Sequence, residues 1–103
     1  MSTQTYPKGQ APRVTLADVS AAIVKQDFTV LPDGRTTICT LTLYNGFTVR
    51  GESSCVRIEN FDEGVGREIA ANNARDEVWK MLGFRLAERL YLEDNEPKVG
   101  AQS

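Results

Sequence analysis

Six arginines, Arg50, Arg57, Arg67, Arg75, Arg85 and Arg89, stand in the last 54 residues of this chain, where lysines are few. A guanidinium is planar and always charged, and it grips phosphate through two parallel hydrogen bonds. Arg57 falls just before an expected helix start, and a helix N-terminus itself attracts anions. Phe61 stands at the same place and offers a ring on which a base could stack. Asn72 falls on an apolar helical arc, where an amide needs a partner or costs about 1–3 kcal/mol. Together Arg57, Phe61, Asn72 and Arg75, completed by Arg89 of the same or a neighbouring chain, make the parts of a pocket for a phosphate-bearing nucleotide. Phe61 and Asn72 are roughly three helical turns apart, so a pocket using both calls for two chains. The competing assignment pairs these arginines with Glu52, Glu59, Glu63, Glu68, Glu77 and Glu88 on a solvated surface.

Other chemistry finds less support. Glu52, Glu59, Asp62 and Glu63 cluster near the helix start, and paired carboxylates can do acid–base work. Glu52 or Asp62 would be the acid or base of an enzyme, yet capping already accounts for Asp62 and Glu63. Ser53, Ser54 and Cys55 offer nucleophiles, but the chain has no histidine to activate them. Gly64 and Gly66 lack the spacing and the lysine of a phosphate loop. Two cysteines without histidine do not make a zinc site. No catalytic residue, metal or cofactor is expected.

The elements that position these residues read as α+β. Thr15 caps a first helix, with Asp18 answering it in a capping box and Val14 and Val19 forming a hydrophobic staple. The helix is expected to end near Lys25. Phe28 to Leu31 reads as a strand, Pro32-Asp33-Gly34 as a turn, Thr36 to Tyr44 as a second strand and Phe47 to Ser53 as a third. Asn45-Gly46 reads as a two-residue hairpin turn, which sets Cys39 across from Glu52. That register puts Phe28, Val30, Ile38, Thr40, Thr42, Tyr44, Phe47 and Val49 on the expected core face. Cys39, Leu41 and Leu43 then lie on the other face, where a helix or partner must cover them. Asn60 is the expected cap of a long C-terminal helix broken near Gly83. On it Val65, Ile69, Asn72, Asp76 and Trp79 fall in one arc, and Ala70, Ala74, Val78 and Met81 in another. Two apolar arcs on one helix predict a second interface and hence a homo-oligomer.

At 103 residues, 41% hydrophobic and 25% charged, the chain reads as one globular domain. Residues 13–93 are its expected body, with flexible segments at 1–12 and 94–103. A net charge of −2 opposes nonspecific coating of nucleic acid. No apolar run is long enough to span a bilayer, and no signal peptide opens the chain, so a cytoplasmic protein with two reduced, buried thiols is expected.

The run Leu41-Thr-Leu-Tyr-Asn-Gly-Phe-Thr-Val-Arg-Gly-Glu-Ser-Ser-Cys55, followed by Glu59-Asn-Phe-Asp62, Gly66-Arg-Glu-Ile-Ala70, Asn73-Ala-Arg75 and Trp79, resembles the small tailed-phage and prophage proteins typified by gene products 49 and 66 of two enterobacterial phages. The resemblance covers roughly residues 13 to 92. It implies a phage accessory protein acting in the host bacterial cytoplasm. By analogy with small phage proteins that sequester nucleotide second messengers, it implies a counter-defence role. Two other roles stay open: a protein–protein inhibitor of a host factor through Leu41 and Leu43, and a structural or accessory phage protein.

Overall fold

The computed structural model describes residues 9–95. Of the flexible segments expected at 1–12 and 94–103, residues 1–8 and 96–103 lie outside the described residues. Along the chain run α1 (Leu16–Ala22), β1 (Ile23–Val30), β2 (Thr36–Leu43), β3 (Thr48–Ser54), a single 3-10 turn (Ile58–Asn60) and α2 (Glu63–Asp94). The three strands form one antiparallel sheet in the order β1-β2-β3. The fold is α+β, with α2 lying across β2 and β3.

Each helix begins on a side-chain cap. Thr15 Oγ1 accepts from the Asp18 amide at 3.2 Å, and Asp18 Oδ2 accepts from the Thr15 amide at 2.9 Å. This capping box satisfies two donors that the first turn leaves over. α1 stops at Ala22, short of Lys25, because Ile23-Val24 is a β-branched pair that suits a strand and the Tyr44 amide draws the Ala22 carbonyl to the sheet at 2.9 Å. β1 therefore starts five residues before the expected strand. α2 is capped by Asp62, whose Oδ1 accepts from the Val65 amide at 3.0 Å, and Asn60 falls instead in the 3-10 turn. α2 passes through Gly83 without a break. A lone interior glycine costs about 1 kcal/mol, which the buried Leu82 beside it offsets.

The hairpin register differs from the expected one by a single residue. Leu43 donates to Phe47 O at 2.8 Å and Gly46 donates to Leu43 O at 2.9 Å. The loop is thus Tyr44-Asn45-Gly46, and of these only Gly46 has positive φ, at 89°. Three-residue loops of this kind end on a left-handed glycine. Val49 now faces Leu41, and Cys39 faces Gly51 rather than Glu52. A one-residue slip moves side chains to the other face. The β1–β2 register likewise puts Phe28 opposite Cys39 and Val30 opposite Thr37. The core face therefore carries Thr37, Cys39, Leu41, Leu43, Val49 and the half-buried Phe28, all turned toward α2. Ile38, Thr40 and Thr42 lie on the open face with Lys25, Asp27, Arg50 and Glu52, and Tyr44 and Phe47 are exposed. Leu41 and Leu43 are core residues, so they offer no docking surface.

α2 meets the sheet through small residues: Gly66, Ala70, Ala71 and Ala74, then Val78 and Leu82. The approach is closest at Gly51, where a Cβ would stand 2.2 Å from the Ala74 amide nitrogen and 2.5 Å from the Ala70 carbonyl oxygen. At Gly66 a Cβ would come within 2.9 Å of Thr37 Oγ1. That hydroxyl is buried without a hydrogen-bond partner. No side chain at Gly51 can yield, because the obstruction is helix backbone. Gly51→Ala is expected to lower stability by about 3 kcal/mol or more, measured as a fall in the urea midpoint. Gly46 has open space around it, so Gly46→Val tests backbone strain alone and should cost about 1–3 kcal/mol in the same assay.

Candidate functional site

Concave regions flank the helix–sheet contact at both ends of the molecule, and an open depression of about 410 Å³ lined by Asp33, Arg35, Ser54, Cys55 and Val56 adjoins the smaller of these. The smaller, about 130 Å³, lies between the end of β3 and the start of α2 and is lined by Arg35, Ser53, Cys55, Phe61, Gly66 and Ile69, among others. Its outer wall is tied together by polar bonds. Asp33 Oδ1 accepts from the Arg35 and Thr36 amides at 2.9 and 3.0 Å, and its Oδ2 accepts from Thr36 Oγ1 at 2.6 Å. Thr36 Oγ1 lies 3.1 Å from Ser54 Oγ, and Arg35 Nη1 donates to Val56 O at 3.0 Å. The hydroxyl of Thr36, then the backbone amide of Arg35, hold the Asp33 carboxyl below its ordinary value of 3.8. This crevice is smaller than the space a nucleotide needs.

The larger region, about 430 Å³, lies between the segment entering α1 and the C-terminal half of α2. It exists because the two layers differ in length. α2 has 32 residues and spans about 48 Å, whereas strands of 7 and 8 residues reach about 26 Å. The helix therefore overruns the sheet, and α1 packs beneath the overrun. Val14, Pro12, Leu82 and Leu86 supply apolar walls, and Arg13, Arg85, Arg89 and Asp18 the charge. Arg85 and Arg89 are one helical turn apart and share a face. Arg85 Nη1 donates to the Tyr44 hydroxyl at 2.7 Å. Arg89 Nε approaches Glu93 Oε2 only to 3.7 Å. The Asp18 carboxylate is already engaged in the α1 cap.

The residues read from the sequence as a pocket are spread along the chain. Arg57 is exposed and lies 3.4 Å from Glu59. Phe61 is half-buried at the small crevice. Asn72 faces solvent, and its Oδ1 accepts from Arg75 Nη2 at 2.6 Å. The amide on the apolar arc thus finds its partner within its own helix. Asn73, one residue on, donates from Nδ2 to the Glu52 carbonyl at 2.8 Å and fastens α2 to β3. Arg89 alone of the five lines the larger groove. Seventeen residues of helix, about 26 Å, separate it from Asn72, so one chain does not gather the set. Arg13 and Arg85 complete the groove. The i, i+4 spacing of Arg85 and Arg89 was the available signal, whereas nothing local ties Arg13 to that turn of α2.

Of the two thiols, Cys39 is buried and Cys55 half-buried, and both are free. Burial pushes the Cys39 thiol above its ordinary value. Among the described residues no group of three His, Cys, Asp or Glu side chains stands as a metal cluster. Among them, too, no helix is long and apolar enough to cross a membrane.

The profile of the phage protein (N4 Gp49/phage Sf6 gene 66) family matches residues 14–90. The chain belongs to this family. The matched span begins at Val14, at the edge of the larger groove, and ends one residue past Arg89, so it takes in every element of the sheet and both helices' contact surfaces. No curated protein and no solved structure matches the chain.

The Asp33 clasp sets a pH dependence. Its folded-state pKa is depressed, so its contribution to stability is full above the ordinary value and is lost as pH falls through the folded value. The melting temperature of the parent should exceed that of Asp33→Ala near neutrality, and the gap should close as pH falls below the ordinary value of 3.8. A gap that stayed constant through that fall would mean the clasp carboxylate is not the group involved.

Proposed function

We propose that this phage protein binds and sequesters a phosphate-bearing nucleotide, such as a second messenger of host immunity, in the groove between α1 and the overrunning half of α2. One observation supports the reading: three arginines, Arg13, Arg85 and Arg89, line one groove with apolar walls. A volume of about 430 Å³ suits a small ligand. Phosphate oxygens would replace the Tyr44 hydroxyl and the loose Glu93 contact as partners of Arg85 and Arg89, and Val14 and Leu86 would cover a base or ribose. Asp18, a carboxylate that lines the groove, is engaged through Oδ2 in the α1 cap, and on this reading the ligand is bound without being altered. Arg57, Phe61, Asn72 and Arg75 would take part only from a second chain.

A second reading, inhibition of a host protein through an apolar face, draws on the exposed stripe of α2. Val65, Ile69 and Trp79 are 52%, 45% and 36% exposed. The two readings separate in titration calorimetry against a panel of cyclic and linear nucleotides. Binding is expected, with Arg89→Ala and Arg85→Ala each weakening it about 10-fold or more while Arg57→Ala leaves it unchanged in the monomer. Ligand recovered after denaturation should be intact. If no member of the panel binds at millimolar concentration, the nucleotide reading fails and the apolar stripe becomes the functional surface.

A further inference from the structure

The sheet has two edges, and they are treated differently. On β3 the residues paired toward β2 are those in phase with Phe47, whose carbonyl accepts from Leu43. The groups of Thr48, Arg50 and Glu52 therefore point outward. The helix closes this edge, since Asn73 Nδ2 occupies the Glu52 carbonyl. On β1 the Leu31 amide donates to Thr36 O, so the alternation turns the backbone groups of Gln26, Phe28 and Val30 away from β2. α2 lies mainly over β2 and β3, and among the described residues no second strand pairs with the outer edge of β1. An eight-residue edge with outward amides and exposed Val24 and Val30 is a template for another strand.

The sequence of β1 specifies which strand. Lys25 and Asp27 stand on either side of Gln26, both exposed and 3.7 Å apart on the open face. An antiparallel copy of β1 related by a two-fold axis through Gln26 sets each Lys25 opposite the other copy's Asp27. Opposite charges directly across a ladder are favourable. The same axis puts outward amides against outward carbonyls at Gln26. An axis through Asp27 would instead bring two Asp27 carboxylates face to face, and one through Lys25 two ammonium groups. We infer that β1 pairs with β1 of a second copy, antiparallel and centred on Gln26, to make one continuous six-stranded sheet. The interface is isologous, as a two-fold contact requires. It is short, because β1 shifts register between Ile23 and Lys25, and such an irregularity ends regular pairing at that point. This inference does not depend on the nucleotide reading.

The test is a charge swap read by sedimentation equilibrium, with hydrogen exchange on the same samples and no nucleotide present. The parent should show a concentration-dependent mass rising to twice 11.4 kDa. K25D and D27K should each shift the midpoint of dimerisation to at least tenfold higher concentration. The double variant K25D/D27K should restore it, because it rebuilds both cross-strand pairs with the signs exchanged. Both side chains are exposed, so circular dichroism should show the fold unchanged in all three. The Gln26 and Phe28 amides should exchange slowly in the dimer and fast on dilution. A monomer at every concentration up to the millimolar range overturns the inference. So does a dimer indifferent to K25D, or one whose Gln26 and Phe28 amides exchange freely.

Discussion

The helix can lie on this sheet only because neither surface carries bulk where they cross. Gly51 on β3 leaves the space that the backbone of α2 fills between Ala70 and Ala74, and Gly66 does the same over Thr37. Backbone against backbone leaves few side-chain atoms between the layers. The contact must therefore fit closely, since dispersion attraction falls steeply with any gap. It also explains why the buried residues of α2 in this stretch are glycine and alanine, and why the larger ones, Val78 and Leu82, come later. Thr37 shows the cost: its hydroxyl is sealed under Gly66 without a partner, which carries a desolvation penalty of about 1–3 kcal/mol.

Two further features follow from that contact. A helix seated mainly on β2 and β3 closes one sheet edge through Asn73 and leaves the other open. A helix of 32 residues laid on strands of about half its length must also run past the sheet. The overrun would be an unsupported helix end if α1 did not fold under it. The capping box at Thr15 fixes where α1 begins, and with it where Val14 and Arg13 enter the wall of the groove. The groove and the open sheet edge are thus consequences of where small residues allow close approach.

Much of this architecture was legible in the sequence. The Thr15 cap, the three strands, the long C-terminal helix and its two arcs follow from local chemistry and from the 2.0 and 3.6 periods. The faces of the sheet did not follow, because Asn45-Gly46 suits both a two-residue loop and the last two positions of a three-residue loop. That ambiguity is one residue wide, and one residue decides every side chain's face. Gly51 as the docking point was hidden for another reason. A glycine in a strand signals close approach but does not say of what. Within the groove Arg89 was legible as a guanidinium on a helix, whereas Arg13 depended on tertiary packing that no local pattern encodes.

Which arginines are placed to hold an anion is decided by how well their own charge is already met. Arg67 lies 2.8 Å from Glu63, one helical turn away, with its guanidinium 6.0 Å from the Phe28 ring centre. Arg75 bonds Asn72 at 2.6 Å and Arg35 bonds the Val56 carbonyl. Arg67 thus has its charge met by a carboxylate, whereas Arg75 and Arg35, like Arg85, rest on neutral acceptors but do not line the larger groove. Arg85 rests on a neutral phenol and Arg89 on a carboxylate at 3.7 Å. Neither partner neutralises a full charge at contact distance, since Coulomb attraction between exposed groups is small in water. Net negative charge on the whole chain and a local site for anions are therefore compatible, and the net charge works against polyanions that would have to lie along the acidic surface.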